Sequence, residues 1–163
     1  HTRFTSDWSS DVCSSDLKYT GHSLVAPSAL PCPVMQVVPS VLNGAEIRQL
    51  VDNFVEGAVR AKQVGFDAVE VHAAHGYLGA QFLSPLSNHR TDAYGGSSER
   101  RARFVLDIGR GIREAVGDAF PVLLRFSADE KLQGGLTLDA ARRLVPLFEK
   151  AGFSALHVSA GCY

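Results

Sequence analysis

The sequence predicts an α/β protein with parallel strands, because three amphipathic helical segments alternate with three short strands. Two of the strands belong to an internal repeat, in which residues 65–72 (GFDAVEVH) and 152–159 (GFSALHVS) share the pattern G-F-x-A-apolar-polar-V-polar. Each copy of the repeat follows a predicted helix. Each strand also has one apolar side and one polar side. Alternation, repetition and strand sidedness together indicate the fold class.

The first helix is predicted from about Ala45 to Val64, where apolar residues recur at helical spacing. Asn43 and Glu46 have the spacing of a capping box, in which each side chain accepts a hydrogen bond from the other residue's backbone. Gly65 follows the helix at the position where glycine commonly ends one. The boundaries of this helix are therefore predicted from local residues alone.

Two further helices are predicted in the second half of the chain. One covers residues 98–116 behind the capping residue Ser97, and the other covers residues 138–150 behind Thr137. Pro146 lies inside the last helix, where a proline removes a backbone hydrogen bond at a cost of about 3 kcal/mol. We therefore expect a kink at this residue.

Strands are predicted at residues 68–72, 122–126 and 155–159. Their apolar side is formed by Val69, Val71, Val122, Leu124, Leu156 and Val158, and their polar side by Glu70, His72, Arg125, Ser127, His157 and Ser159. A doubly wound sheet would be apolar on both sides. Helices outside and polar groups inside are instead typical of a (β/α)₈ barrel, which takes ~250 residues. Residues 18–163 are therefore predicted to be a partial barrel domain, covering about strands four to six.

The first 17 residues are set apart from this domain. The stretch from Asp7 to Leu17 is what a common short-read sequencing adapter encodes when translated, and the preceding residues fit the same adapter. A disordered leader rich in serine and aspartate is the alternative. We interpret residues 1–17 as a non-native, disordered segment and exclude them from the fold prediction.

Composition excludes several classes of partner. The chain has 16 lysines and arginines against 17 aspartates and glutamates, which gives no electrostatic case for nucleic acid or an anionic membrane. No apolar run approaches the ~20 residues of a membrane span. Cys32 and Cys162 lack the spacing of a metal or disulfide motif. We predict a cytoplasmic location, and the sequence leaves the oligomeric state open.

Residues suited to proton transfer cluster at the end of the first strand. Alternation places Glu70 and His72 on its polar side, and His75 and Tyr77 follow in the next turn. Two imidazoles can donate hydrogen bonds to one carbonyl oxygen, and a phenol with a pKa of about 10 can supply a proton beside it. Glu70, His72 and His75 are also possible metal ligands by residue type, and that alternative stays open.

A longer string around this cluster resembles the old yellow enzyme family of FMN-dependent reductases. Residues 65–78 match the pattern G-F-D-x-V-E-[IV]-H-x-A-H-G-Y-L, and residues 81–97 match Q-F-L-S-P-x-S-N-x-R-T-D-x-Y-G-G-S. The resemblance implies that His72 and His75 bind the activating carbonyl of the substrate and that Tyr77 protonates its Cα carbon. It also implies that Arg125 lies against the pyrimidine edge of the flavin, with an ion pair to Glu70 as the alternative.

The rest of the second motif is interpreted as mainly structural, because a long loop needs internal hydrogen bonds. It comprises Asn88, Arg90, Thr91, Asp92, Tyr94, Gly95 and Gly96.

The resemblance further implies an FMN-dependent NAD(P)H oxidoreductase that reduces the C=C bond of a small α,β-unsaturated carbonyl compound. The strings at residues 125–130 and 157–163 resemble the branch with 2,4-dienoyl-CoA reductases and enoate reductases, whose members often carry a 4Fe-4S cluster and FAD downstream. Two alternatives remain: a metal-assisted barrel lyase or hydrolase, and a chain that is inactive alone. An open partial barrel exposes strand edges and core, so we expect the isolated chain to aggregate or bind FMN poorly.

Overall fold

A computed structural model describes residues 24–31 and 37–162 of the chain. The segment interpreted as adapter-derived, residues 1–17, and Cys32 both lie outside the described residues. Two short strands, β1 (Val25–Ala26) and β2 (Ser40–Val41), pair in parallel ahead of the predicted elements. Neither strand was predicted, because two residues are too few to establish an alternating pattern.

The main sheet has three parallel strands in the order β3-β4-β5. These are β3 (Val69–Ala73), β4 (Val122–Asp129) and β5 (Ala155–Ala160). All three predicted strands are confirmed, although β4 runs three residues further than predicted. The two copies of the repeat contribute the outer strands, and β4 lies between them. The carboxyl ends of all three strands consequently meet at one edge.

Three long helices connect or flank these strands, and a short fourth one was not predicted. They are α1 (Gly44–Gln63), α2 (Leu78–Leu83), α3 (Ser98–Val116) and α4 (Leu138–Lys150). The predicted capping box of α1 is present, with both reciprocal bonds between Asn43 and Glu46. Ser97 and Thr137 cap α3 and α4. Within the described residues, no helix has the length and apolar character needed to cross a membrane.

The core lies between the helices and the apolar side of the sheet. Val122, Leu124 and Phe126 on β4 are at most 1% exposed, and they pack in one cluster with the buried faces of α3 and α4. The six residues of α2 are all buried, so this helix has no polar face from which helical spacing could be recognised. Predicted sidedness is thus confirmed where helices cover the sheet.

Two sequence expectations need comment. Val158 was predicted to lie on the covered apolar side, but it is 60% exposed because β5 is the edge strand of the described sheet. Pro146 lies on the exposed side of α4, which continues as one helix from Leu138 to Lys150. Proline in that position does not end the helix, and the expected kink stays a prediction.

Candidate active site

Three of the predicted site residues lie at the carboxyl end of β3 and in the turn after it. His72 is on β3, His75 lies in the turn, and Tyr77 directly precedes α2. The ring centroid of His72 is 4.9 Å from that of Tyr77 and 5.5 Å from that of His75. The structure therefore brings the three side chains together, while their individual roles stay a prediction.

The turn that carries His75 is unusually tight. His75 and Gly76 both have positive φ angles, 55° and 76°, and the buried Gln81 side chain donates to the Gly76 carbonyl at 2.9 Å. Behind the turn, α2 packs directly on β3. A Cβ atom at Gly79 would lie 2.8 Å from the Cβ of Ala73, so this contact requires glycine. Local backbone geometry thus determines where the imidazole of His75 lies.

Arg125, the predicted flavin contact, lies beside His72. The parallel register pairs His72 on β3 with Arg125 on β4, and Arg125 with His157 on β5. Glu70, two residues before His72 on β3, is hydrogen-bonded to the ring of His157, with 3.0 Å between Oε2 and Nδ1. Within the described residues no ion pair joins Glu70 to Arg125, so that alternative for Arg125 has no support.

Two buried nitrogen atoms at this edge lack hydrogen-bond partners among the described residues. They are Nδ1 of His72 and Nε of Arg125, on neighbouring strands. An unsatisfied buried polar group costs about 1–3 kcal/mol. Such groups persist where a ligand supplies the missing partner. Nε of Arg125 is a hydrogen-bond donor, and Nδ1 of His72 is one in the tautomer that carries the ring proton there.

The electrostatic environment holds His72 in its neutral form. Burial is the main cause that lowers the pKa of His72 from its usual 6.5, and the nearby His75 and Arg125 lower it further. Glu70 acts in the opposite direction but is the weakest of the four influences. At pH 7 the imidazole therefore carries a single N–H, which it can donate to an oxygen.

Two serines that sequence reasoning placed on the polar side, without a role, hold His75. The backbone N–H of His75 donates to Ser127 Oγ at 3.1 Å, and Nε2 of its ring lies 2.6 Å from Ser159 Oγ. The serines come from β4 and β5, respectively 52 and 84 residues away along the chain. Their distance in sequence explains why no local motif revealed the contact.

The loop after α2 has the internal bonds expected of a structural segment. Asn88 is buried and its amide donates to the carbonyls of Phe82 and Tyr94, each at 2.7 Å. Arg90 donates to the carbonyl of Leu42 at 2.6 Å and thereby ties the loop to the segment before α1. These side chains are engaged within the protein and do not point to a second ligand site.

The metal alternative receives no support from the geometry. In the part of the chain that the structure describes, no group of three histidine, cysteine, aspartate or glutamate side chains converges as a metal site. Glu70 is directed to His157, while His75 is bonded to Ser159. Two of the three ligands proposed from residue type therefore have other partners.

The chain is similar to known flavin oxidoreductases over most of its length. The model of the NADH:flavin oxidoreductase / NADH oxidase family matches residues 7–157. The match starts inside the segment interpreted as adapter-derived, so that interpretation stays a prediction. Among curated proteins, the NADH oxidase of Thermoanaerobacter brockii is 51% identical over 143 residues, which is 88% of this chain and 22% of that protein.

Solved structures extend the likeness to the fold. A 2-naphthoyl-CoA reductase in complex with 2-naphthoyl-CoA superposes with a TM-score of 0.81 at 34% identity, over 86% of this chain and 22% of that one. The old yellow enzyme homologue from Zymomonas mobilis has a TM-score of 0.76 at 28% identity, over 88% of this chain and 44% of that one. These neighbours are (β/α)₈ barrels, and the predicted partial barrel is confirmed.

Proposed function

The chain belongs to the NADH:flavin oxidoreductase / NADH oxidase family, and from that premise we propose that it forms part of an FMN-dependent NAD(P)H oxidoreductase. The proposed reaction is reduction of the C=C bond of an α,β-unsaturated carbonyl compound of the enoate, enone or dienoyl-CoA type. The chain spans 22% of the T. brockii relative's length, so the proposal concerns the whole protein. We also propose a cytoplasmic location, and 4Fe-4S and FAD groups stay a prediction about regions outside this chain.

One observation carries the proposal. Two imidazoles and one phenol meet at the carboxyl edge of the sheet. A buried nitrogen among them, Nδ1 of His72, lacks a partner within the described residues and is a donor in the tautomer that carries the ring proton there. Barrel enzymes place their active sites at this edge. A carbonyl oxygen bound there would satisfy the donor and lie beside the phenol of Tyr77.

His72 and His75 would bind and polarise the substrate carbonyl. Neutral His72 donates one N–H without bringing a positive charge into the site. Two such donors stabilise the negative charge that develops on the oxygen when the double bond is reduced, and removal of one donor of this kind typically costs about 3–4 kcal/mol of transition-state stabilisation. The imidazole pair thereby activates the β-carbon towards a hydride.

Tyr77 would complete the reduction by protonating the α-carbon. Its ring packs against that of His72 at an interplanar angle of 54°, so the phenol lies beside the histidine that would bind the carbonyl. FMN, when bound, supplies the hydride after reduction by NAD(P)H. Arg125 would hold the flavin, because its buried Nε offers a charged donor to an acceptor-rich ring edge.

The similarity to 2-naphthoyl-CoA reductase supports an unsaturated thioester as one substrate class, alongside simple enones and enoates. In each of these the carbonyl is conjugated with the bond to be reduced. The same two imidazoles would therefore bind the carbonyl of all three substrate classes. Contacts with the rest of the substrate would determine which class is accepted.

Flavin absorbance tests the proposal in the protein expressed from its complete gene. We expect NAD(P)H to bleach the flavin and a 2-enone to restore it. Tyr77→Phe should slow enone reduction by roughly a hundredfold or more, the usual effect of removing a general acid, and leave bleaching intact. Tyr94→Phe is the matched control, since Tyr94 lies in the structural loop with its ring under Arg103.

Full enone turnover in Tyr77→Phe would overturn the proton-donor assignment. A colourless protein that retains a stoichiometric metal would overturn the flavin assignment and favour the barrel lyase or hydrolase.

A further inference from the structure

Ser159 and Ser127 hold different parts of the same histidine. Ser127 is 3% exposed; its hydroxyl donates to the carbonyl of Gly161 at 2.7 Å and accepts from the His75 backbone N–H. This pair of bonds fixes the backbone of a non-glycine residue at a φ of 55°, which is otherwise unfavourable. The backbone of His75 is therefore anchored without any help from Ser159.

Ser159 contacts only the ring. Its Oγ lies 2.6 Å from Nε2, a short separation for a hydrogen bond, and Nδ1 has no partner among the described residues. A neutral imidazole carries one N–H, and the partner of one nitrogen decides which nitrogen bears it. The direction of the Ser159 bond therefore determines what the ring offers to a ligand.

The two directions have opposite consequences for carbonyl binding. If Nε2–H donated to Ser159, only the lone pair of Nδ1 would remain, and it would repel a carbonyl oxygen. If the Ser159 hydroxyl donates to Nε2, Nδ1 carries the proton and can donate it. Only the second arrangement lets His75 act with His72 as a pair of donors.

We propose that Ser159 is a positioning residue that sets the tautomer of His75, by donating its hydroxyl proton to Nε2 so that Nδ1–H is offered to the substrate oxygen. This inference rests on the proposed function for the identity of the oxygen. The tautomer itself can be observed without turnover, so the two can fail separately.

Neutron diffraction of the deuterium-exchanged, flavin-loaded protein locates the proton directly. The expected result is deuterium on Nδ1 of His75 and the Ser159 hydroxyl deuterium directed at Nε2. Deuterium on Nε2 would overturn the proposal. This readout requires neither a substrate nor an activity.

Kinetics of three variants give the second measurement. We expect Ser159→Ala to raise the KM for a 2-enone by roughly fivefold, the effect of losing one neutral hydrogen bond, and Ser159→Thr to restore it because threonine keeps the hydroxyl. Ser154→Ala is the matched control. Ser154 lies just before β5, where its hydroxyl accepts from Arg113, far from the imidazoles.

Each outcome decides whether Ser159 positions the ring of His75 or only supports the fold. An unchanged KM in Ser159→Ala, or an equal increase in Ser154→Ala, would overturn the positioning role. A threonine variant as impaired as the alanine variant would do the same, since the hydroxyl would not be the active feature. The Nδ1 tautomer in a protein that reduces neither an enone, nor an enoate, nor a dienoyl-CoA would support the positioning role and overturn the proposed function.

Discussion

The two ends of the three-stranded sheet use arginine in different ways. At the amino ends of β4 and β5, Arg113 from α3 donates to the carbonyls of Gly117, Asp118, Phe120 and Gly152 and to Ser154 Oγ, at 2.6–3.2 Å. In the middle of β4, level with His72 near the carboxyl end of β3, Arg125 has a buried Nε that donates to no described residue. The guanidinium of Arg113 stabilises the fold through its protein acceptors, whereas Arg125 is the residue that we propose contacts the flavin.

The same contrast holds for the backbone. The amino-terminal end closes with glycines at positive φ, such as Gly152 at 96°, where a Cβ would lie 2.8 Å from the Cβ of Arg113. At the carboxyl end, positive φ angles occur at Gly76 and Gly161 and also at His75, which is not a glycine. An unfavourable backbone conformation thus occurs at a residue that we propose binds the substrate.

The largest effect expected from this comparison is loss of stability in Arg113→Met. Removing the guanidinium leaves the carbonyls of Phe120 and Gly152 without these donors, so we expect the free energy of unfolding to fall by about 3 kcal/mol. Urea denaturation of the flavin-free protein measures it. Arg110→Met, on the exposed side of the same helix, is the control and should cost under about 1 kcal/mol. Equal losses in both variants would contradict the special role of Arg113.

Arg125→Met should have the opposite sign on stability and a large effect on binding. Since Nε has no described partner, its removal should leave the flavin-free protein as stable or raise its free energy of unfolding by about 1 kcal/mol. FMN affinity, measured by quenching of flavin fluorescence, should fall by roughly tenfold to a hundredfold with the loss of a charged donor. Destabilisation comparable to that of Arg113→Met would remove the distinction between the two ends.

The smallest expected effect concerns pH. The pKa of His72 is lowered, mainly by burial, so the unfolded chain binds a proton more readily than the folded one. Its contribution to stability is complete above the unfolded pKa of about 6.5 and is lost as pH falls through the lower folded pKa. We expect Tm to drop less between about pH 7.5 and 5.5 in His72→Gln than in the unaltered protein.

His89→Gln provides the control for that experiment, because His89 is an exposed histidine in the structural loop. Its Tm should follow the unaltered protein across the pH range. Parallel curves for His72→Gln and the unaltered protein would show that His72 does not titrate differently on folding.

Local features were predictable from sequence, and contacts between strands were not. The ends of α1 were predicted within one residue because Asn43 and Gly65 act on their immediate neighbours. His72, His75 and Tyr77 were predicted to lie together because six residues contain all three and the motif is distinctive. The short α2 was missed because burial on all sides removes the helical pattern.

The support of His75 required knowledge of register. Ser127 and Ser159 were recognised only as polar residues in strands of alternating polarity. A shift of one residue in the strand register would have placed both on the opposite side of the sheet. The pairing of Glu70 with His157, in place of Arg125, was likewise decided by how three strands align. Sequence pattern predicts which side a residue faces, while its partner depends on tertiary structure.

The hydrogen bond between His75 and Ser159 joins two residues that are synthesised far apart in time. The histidine leaves the ribosome 84 residues before the serine that holds its ring, and 52 residues before the one that holds its backbone. Contacts so far apart in sequence form late, after much of the chain entropy has been lost. The ring of His75 can therefore reach its hydrogen-bonded position only after β5 has been synthesised and has paired with β4.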